Sequence, residues 1–318
     1  MNIIGDILEP VCTSLGDAIN YGARSLIKGA CSLFNALVEK ACEFFTQTPW
    51  EFAGGEGSQT WDLIMTCNTI FVSIAVSLMC VFWLIGFLSE TTDIKQDLRL
   101  EQLVKIFIKL LVAEFFVCHS LDIVCWFFSS ATAICHAVMG ADIQIGVHYA
   151  EDIRPILEML NSDTNPNVKG LTLIANNLVL LILAFIFAFM LVAVGVSIFM
   201  AAVKRFLKIL VLIPYGSLAA STLAGNHTIQ RTAEGFYRYA IASALEVVTM
   251  ILMLAVGSAL LTNTGILESM TGSSPSASSG AGTILIYIME FLALKAVLLG
   301  CISSGIKQAE GITQRIVG

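Results

Sequence analysis

The chain has 318 residues, 57% of them hydrophobic and 13% charged, with a mean hydropathy of +0.83. An ordinary soluble domain carries about 25% charged residues, so this composition excludes a soluble globular protein and predicts an all-α, polytopic membrane protein. The formal net charge of −7 gives no support to a basic nucleic-acid-binding face, and membrane orientation follows the placement of Lys and Arg rather than their total.

The first ten residues, MNIIGDILEP, have an acidic, interrupted start in place of the basic start and short apolar core of a secretory signal. The first spanning helix is therefore expected to act as the insertion signal. Residues 1–60 read as an N-terminal region on the outer face. Apolar positions recur at Val11, Leu15, Ile19, Leu26, Ala30, Phe34, Leu37, Ala41 and Phe45, with Asp17, Arg24, Lys28, Asn35 and Glu39 between them. That period predicts an amphipathic helix, lying either along a membrane interface or partner or against the protein's own spanning helices. TPWEFAGGEGSQTW then predicts a loop with tryptophan anchors.

Residues 61–302 are predicted to form the transmembrane domain. A first span falls at 64–88, which holds no charge. A second, at 106–138, is unusual in carrying Lys109, Glu114, His119 and Asp122, with Lys105 at its start. The polar stretch 140–170 contains Pro155, Pro166 and one short helix near Ile153 to Leu160. A third span covers 171–203, an apolar run of about 33 residues, or about 50 Å of helix against a hydrocarbon core of about 30 Å. It must tilt or project. Further spans are expected at 236–261, with Glu246, and at 284–302, with Glu290 and Lys295. A Gly/Ser-rich loop with one charge, Glu268, joins them at 262–282, and residues 303–318 read as a cytoplasmic tail.

The stretch VKRFLKILVLIPYGSLAASTLA, from Val203, decides the topology. Crossing fully, it would make six spans and split Lys and Arg seven against nine between the faces, which is no orientation signal. Returning to the side it left, it makes five spans and a split of eleven against five, with Lys295 in the membrane. The positive-inside rule favours the second arrangement. It places the N-terminus outside and the C-terminus in the cytoplasm of a multi-pass protein of the cell membrane. The segment 206–224 is accordingly predicted to be re-entrant, turning near Pro214 and Gly216, which requires cover by protein or a water-filled cavity.

VKIFIKLLV at 104–112 echoes VKRFLKILV at 203–211. In both, lysines at i and i+4 share a helix face, so Lys105, Lys109, Lys204, Arg205 and Lys208 are candidates for contact with lipid headgroups at the inner surface. Intramembrane charges usually face a bundle interior, a cavity or a partner. Glu114, Asp122, Glu246, Glu290 and Lys295 are therefore candidates either for helix and subunit contacts or for a proton or ion relay. Glu290 and Lys295 are about 140° apart on their helix and should each pair elsewhere, Glu246 being one partner for Lys295.

No catalytic set emerges. The nine cysteines form no CxxC pair and read mostly as small buried apolar groups. Cys118, His119, Asp122 and Cys125 spread around a helix rather than converging on a metal. Two SxxK matches, at Ser25 and Ser304, lack companion motifs. There is no phosphate-binding loop, HExxH or dinucleotide fingerprint. The expectation is a protein that is not an enzyme and needs no cofactor.

The arrangement VKRFLKILVLIPYGSLAASTLAGNHTIQRTAEGFYRYAIASALEVVTMILMLAVG after a long apolar helix, together with FLSETTDIKQDLRLEQLVKIFIKLLVAEFF, resembles the TrbL-like class of conjugation proteins over about residues 61–261. These are VirB-class polytopic inner-membrane subunits of type IV secretion systems, and the likeness is to those of Gram-positive integrative elements. The resemblance implies a homo-oligomeric channel or scaffold component that works with secretion ATPases, pilus or cell-wall channel components and membrane lipids, passing a transient relaxase-bound DNA cargo. It supplies no catalytic residues. A secondary transporter or ion channel using the intramembrane carboxylates is the alternative.

Overall fold

The computed structural model describes residues 3–55, 57–92, 100–140, 146–147, 153–158, 160, 171–262 and 281–317. Among them there is no strand. The helices are α1 (Ile3–Thr46), α2 (Pro49–Phe52), α3 (Gln59–Thr92), α4 (Leu100–Cys118), α5 (Ser120–Met139), α6 (Arg154–Glu158), α7 (Leu171–Ser221), α8 (His227–Thr262) and α9 (Ala281–Val317), with a 3-10 turn at Thr222–Ala224. Five of these segments are long and apolar enough to cross a membrane: Gln59–Ser89, Ser120–Met139, Thr172–Ala224, His227–Thr262 and Gly282–Val317. The chain is an all-α polytopic membrane protein. The Gly/Ser-rich loop, with Glu268, and most of the 140–170 connection lie outside the described residues.

The chain divides into two compact units. The first comprises Met1–Cys42, Asp142–Ala201 and Leu252–Lys307. Within it α1 runs parallel to the start of α7. Side-chain Nδ2 of Asn20 donates to Oδ1 of Asn177 at 3.2 Å, and Asn177 donates in turn to the carbonyl of Gly16 at 2.8 Å. A Cβ at Gly16 would fall 2.8 Å from the Leu173 side chain, and one at Gly195 would fall 3.2 Å from Leu37 and Phe34. Missing side chains thus let the two helices approach. Of the two placements open to the amphipathic segment, α1 takes the intramolecular one, burying Ala23, Ile27, Ala30, Phe34 and Val38 along one face. Asn35 clasps the stretch after α5, donating to the carbonyl of Val147 at 3.0 Å and accepting from its N–H at 2.9 Å. Arg24 reaches Glu158 at 3.2 Å, and Arg154 bonds the same carboxylate at 2.8 Å. Gly257 admits Ile302, so α8 and α9 pack closely antiparallel.

The second unit comprises Glu43–Ala141, Ala202–Ile251 and Gln308–Gly318. Its apolar centre is built of small residues, Ala75, Ala113, Ala220 and Ala224, with Met79 and Val117. The indole N–H of Trp83 donates to the carbonyl of Ile106 at 3.3 Å, fixing α3 antiparallel to α4. Phe52 stacks on Phe206 at 4.0 Å, with Phe44 edge-on to both.

Three expectations are corrected. The re-entrant turn at Pro214 and Gly216 is absent: α7 stays helical through both residues, and the chain reverses at residues 222–226. Proline costs a helix one backbone bond, but neighbouring helices offset it, since Tyr215 meets Phe71 edge-on at 5.2 Å and Gly216 abuts Val124 and Ser120. The 106–138 span is two helices separated by one residue, His119, across which helical bonds continue from His119 N–H to Phe115 and from Ile123 N–H to His119. The tail at 303–318 is no separate tail, because α9 runs on to Val317.

Candidate functional site

The basic trio on α7 divides by position around the helix. Lys204 is exposed, Arg205 is 3% exposed and Lys208 is half-buried. The headgroup role expected of Arg205 and Lys208 therefore does not match their surroundings. Lys208 Nζ lies 3.1 Å from Oε2 of Glu246 on α8 and 2.6 Å from Oε1 of Glu310 on α9, and 5.0 Å above the ring of Tyr239. Gln314 donates to the same Glu310 oxygen at 3.2 Å. One ammonium thus pins three helices together, with two carboxylates and an aromatic face in place of water. One turn along α8, Thr249 and Thr313 share a hydroxyl hydrogen bond of 3.0 Å. Arg205 packs within the same unit, and its Nε and Nη1 have no hydrogen-bond partner among the described residues. The carboxylate that acts on its charge is again Glu246.

Beside this network opens a cavity of about 630 Å³, lined by Arg231, Glu234, Gly235, Arg238, Tyr239, Ala242, Gln314 and Val317. Its size is that of a small-molecule site. The walls are held from behind: Tyr239 by the Lys208 ammonium and Gln314 by Glu310. Among the described residues, neither Arg231 nor Arg238 has an ion-pair partner within 4.0 Å.

The intramembrane charges meet different fates. Glu246 is buried and engaged by Lys208, where Lys295 was the expected partner. Lys295 itself is 1% exposed, its ammonium 5.0 Å from the Phe291 ring. Glu114 on α4, Asp122 on α5 and Glu290 on α9 are all exposed, as is Lys105, while Lys109 is half-exposed. Asp122 meets only the neighbouring His119 ring, at 3.3 Å, among the contacts described for it. No group of three His, Cys, Asp or Glu side chains converges as a metal site among the described residues. Sequence reasoning missed Glu310, Gln314 and the Arg231–Arg238 pair. The signal for the first two was the helical recurrence of Leu299, Ser303, Ile306, Ala309 and Thr313, which carries α9 past the expected end of its span.

Outside the membrane-spanning segments two carboxyls are held below their ordinary range. Hydrogen bonds from the Thr48 hydroxyl and its backbone N–H do this for Glu51. The Arg154 hydrogen bond, with Arg24 adding to it, does so for Glu158. No known protein family, curated protein or solved structure matches this chain.

Proposed function

We propose that this chain is a non-enzymatic, multi-copy subunit of a membrane translocation channel, of the conjugative type IV secretion kind that its sequence resembles. The observation that carries the assembly part of this reading is the length of α7. Its 51 residues rise about 76 Å. Even tilted by about 40°, a hydrocarbon core about 30 Å thick takes up about 26 residues of helix, so about half of α7 lies beyond it. Yet large apolar side chains stand exposed along both halves, Phe189 at 72% and Val211 at 63% among them. Whichever half leaves the lipid, its apolar face needs cover, and other copies of the chain supply it. Exposed Glu114, Asp122 and Glu290 suit the same contacts, because a carboxylate facing lipid is costly. In this role the Lys208 network fixes helix positions. Secretion ATPases provide the energy, channel and cell-wall components continue the conduit, and a relaxase-bound strand is the cargo.

Cysteines placed at Phe189 and Val211, in a background without native cysteines, test the assembly in native membranes. At least one should cross-link between copies into a ladder, and a monomer at both positions overturns the reading. Deleting the gene should abolish element transfer while leaving DNA nicking intact; normal transfer would remove the conjugation role. The transporter alternative draws on Lys208 lying between two carboxylates. It would be favoured by a Glu246→Gln variant that keeps its oligomers and loses proton-coupled flux.

A further inference from the structure

The cavity of the second unit differs in charge from the network behind it. Lys208 meets Glu246 and Glu310, and buried Arg205 feels the charge of Glu246, so two cations stand against two carboxylates behind the cavity. The cavity wall carries Arg231, Arg238 and a single carboxylate, Glu234, which leaves one positive charge in excess. The two arginines are seven residues apart, almost two full turns, so they lie on one face of α8 and about 10 Å apart along it. Neither is spent on an ion pair among the described residues. A further arginine, Arg315, stands exposed in the last turn of α9, next to the lining residue Gln314.

The lining also includes apolar Ala242 and Val317, while Tyr239 presents an amphipathic ring of the type that favours the membrane interface. Guanidinium pairs take phosphate oxygens in a fork geometry, and basic pockets between spanning helices suit lipid headgroups. A nucleic-acid strand would instead call for exposed stacking rings along a basic groove. We propose that this cavity holds the headgroup of an anionic phospholipid, with Arg231 and Arg238 on its phosphates, Gln314 and Tyr239 on its glycerol oxygens, and acyl chains leaving over Val317. Two arginines at this separation suit a headgroup with two phosphates better than one with a single phosphate. Glu234, between them, limits the site to ligands that bring enough negative charge to compete for both guanidiniums.

The test uses the full chain in nanodiscs of phosphatidylcholine alone, or phosphatidylcholine doped with phosphatidylglycerol or with cardiolipin, read by native mass spectrometry and thermal midpoint. Cardiolipin should be retained about tenfold over phosphatidylcholine and should raise the midpoint. R231Q/R238Q should abolish both effects, R231K/R238K should keep part of them, and K307Q, on an exposed residue outside the cavity, should leave them intact. Because both arginines are exposed, the variants should melt like the parent in phosphatidylcholine, which separates loss of ligand from loss of fold. Equal retention in R231Q/R238Q and the parent overturns the proposal, as does an equal loss in K307Q. Stabilisation by inorganic phosphate with no lipid preference reassigns the site to a free anion and also overturns it. So does arginine-dependent binding of a single-stranded oligonucleotide without lipid retention.

Discussion

Lys208 holds carboxylates from two other helices, and its removal tests whether the network is a structural clamp. Without its cation, Glu246 is left buried beside Arg205, while Glu310 keeps only Gln314. Losing charged hydrogen bonds in a partly buried network costs about 1 to 3 kcal/mol, whereas an exposed substitution costs about 0.5 kcal/mol or less. Lys208→Met should therefore lower the thermal midpoint clearly and Lys204→Met should not, although the two lysines share one turn of α7. Equal midpoints for the two variants would remove the clamp. A second residue-scale test concerns Glu158, which Arg154 and Arg24 make more acidic in the folded chain. A carboxyl acidified by folding adds stability above its unfolded pKa and loses that contribution as pH falls through the folded value. Protection of the Arg154–Glu158 backbone should thus be complete at neutral pH and fade below about pH 4.3. Hydrogen exchange, normalised to Arg24→Gln, reads this; protection unchanged down to pH 3 would contradict the tie.

At the scale of the element, Pro214 is where sequence and structure part. Local propensity treats a proline after a basic start as a breaker, and the charge split favoured a return to the inner side. Packing overrides the local preference: Ser217 donates to the Pro214 carbonyl at 3.2 Å, and Ala220 and Ala224 enter the apolar centre of their unit. Single cysteines along 209–221 should react with a membrane-permeant maleimide at a helical period of about 3.6 residues, strongly at exposed Val211 and Tyr215 and weakly at buried Ile213 and Ser217. Loss of that period from residue 214 onward would restore the re-entrant turn. By contrast, α1 was legible from its period, because a single apolar face at i, i+3 and i+4 spacing has one helical solution. Its partner was not, since Asn20 and Asn177 are far apart in sequence and neither has a motif to announce the pair.

At the scale of the whole molecule, composition alone was enough for the class. A chain with so few charges can satisfy its backbone in lipid only by helices or a closed barrel, and runs of this length choose helices. The five apolar crossings were likewise readable, with the exception that the second is interrupted at His119. The candidate site was half legible. Glu246 and Lys208 stood out as charges in apolar runs, but their pairing depends on which helices meet, and Glu310 lay in what read as a tail. Arg231 and Arg238 entered the topology as mere counts of positive charge.

The unbroken course of α7 has a consequence for how the protein is made and held. The apolar run 171–203 is long enough by itself to cross the hydrocarbon core, whereas residues 209–221 rise only about 20 Å. Lys204, Arg205 and Lys208 stand about two thirds to three quarters of the way along it, between these two stretches. Carrying three such cations through the centre of the hydrocarbon costs about 7 to 10 kcal/mol on insertion scales. A register with 171–203 in the lipid avoids that cost, so the cations oppose sliding of α7 toward its C-terminal end.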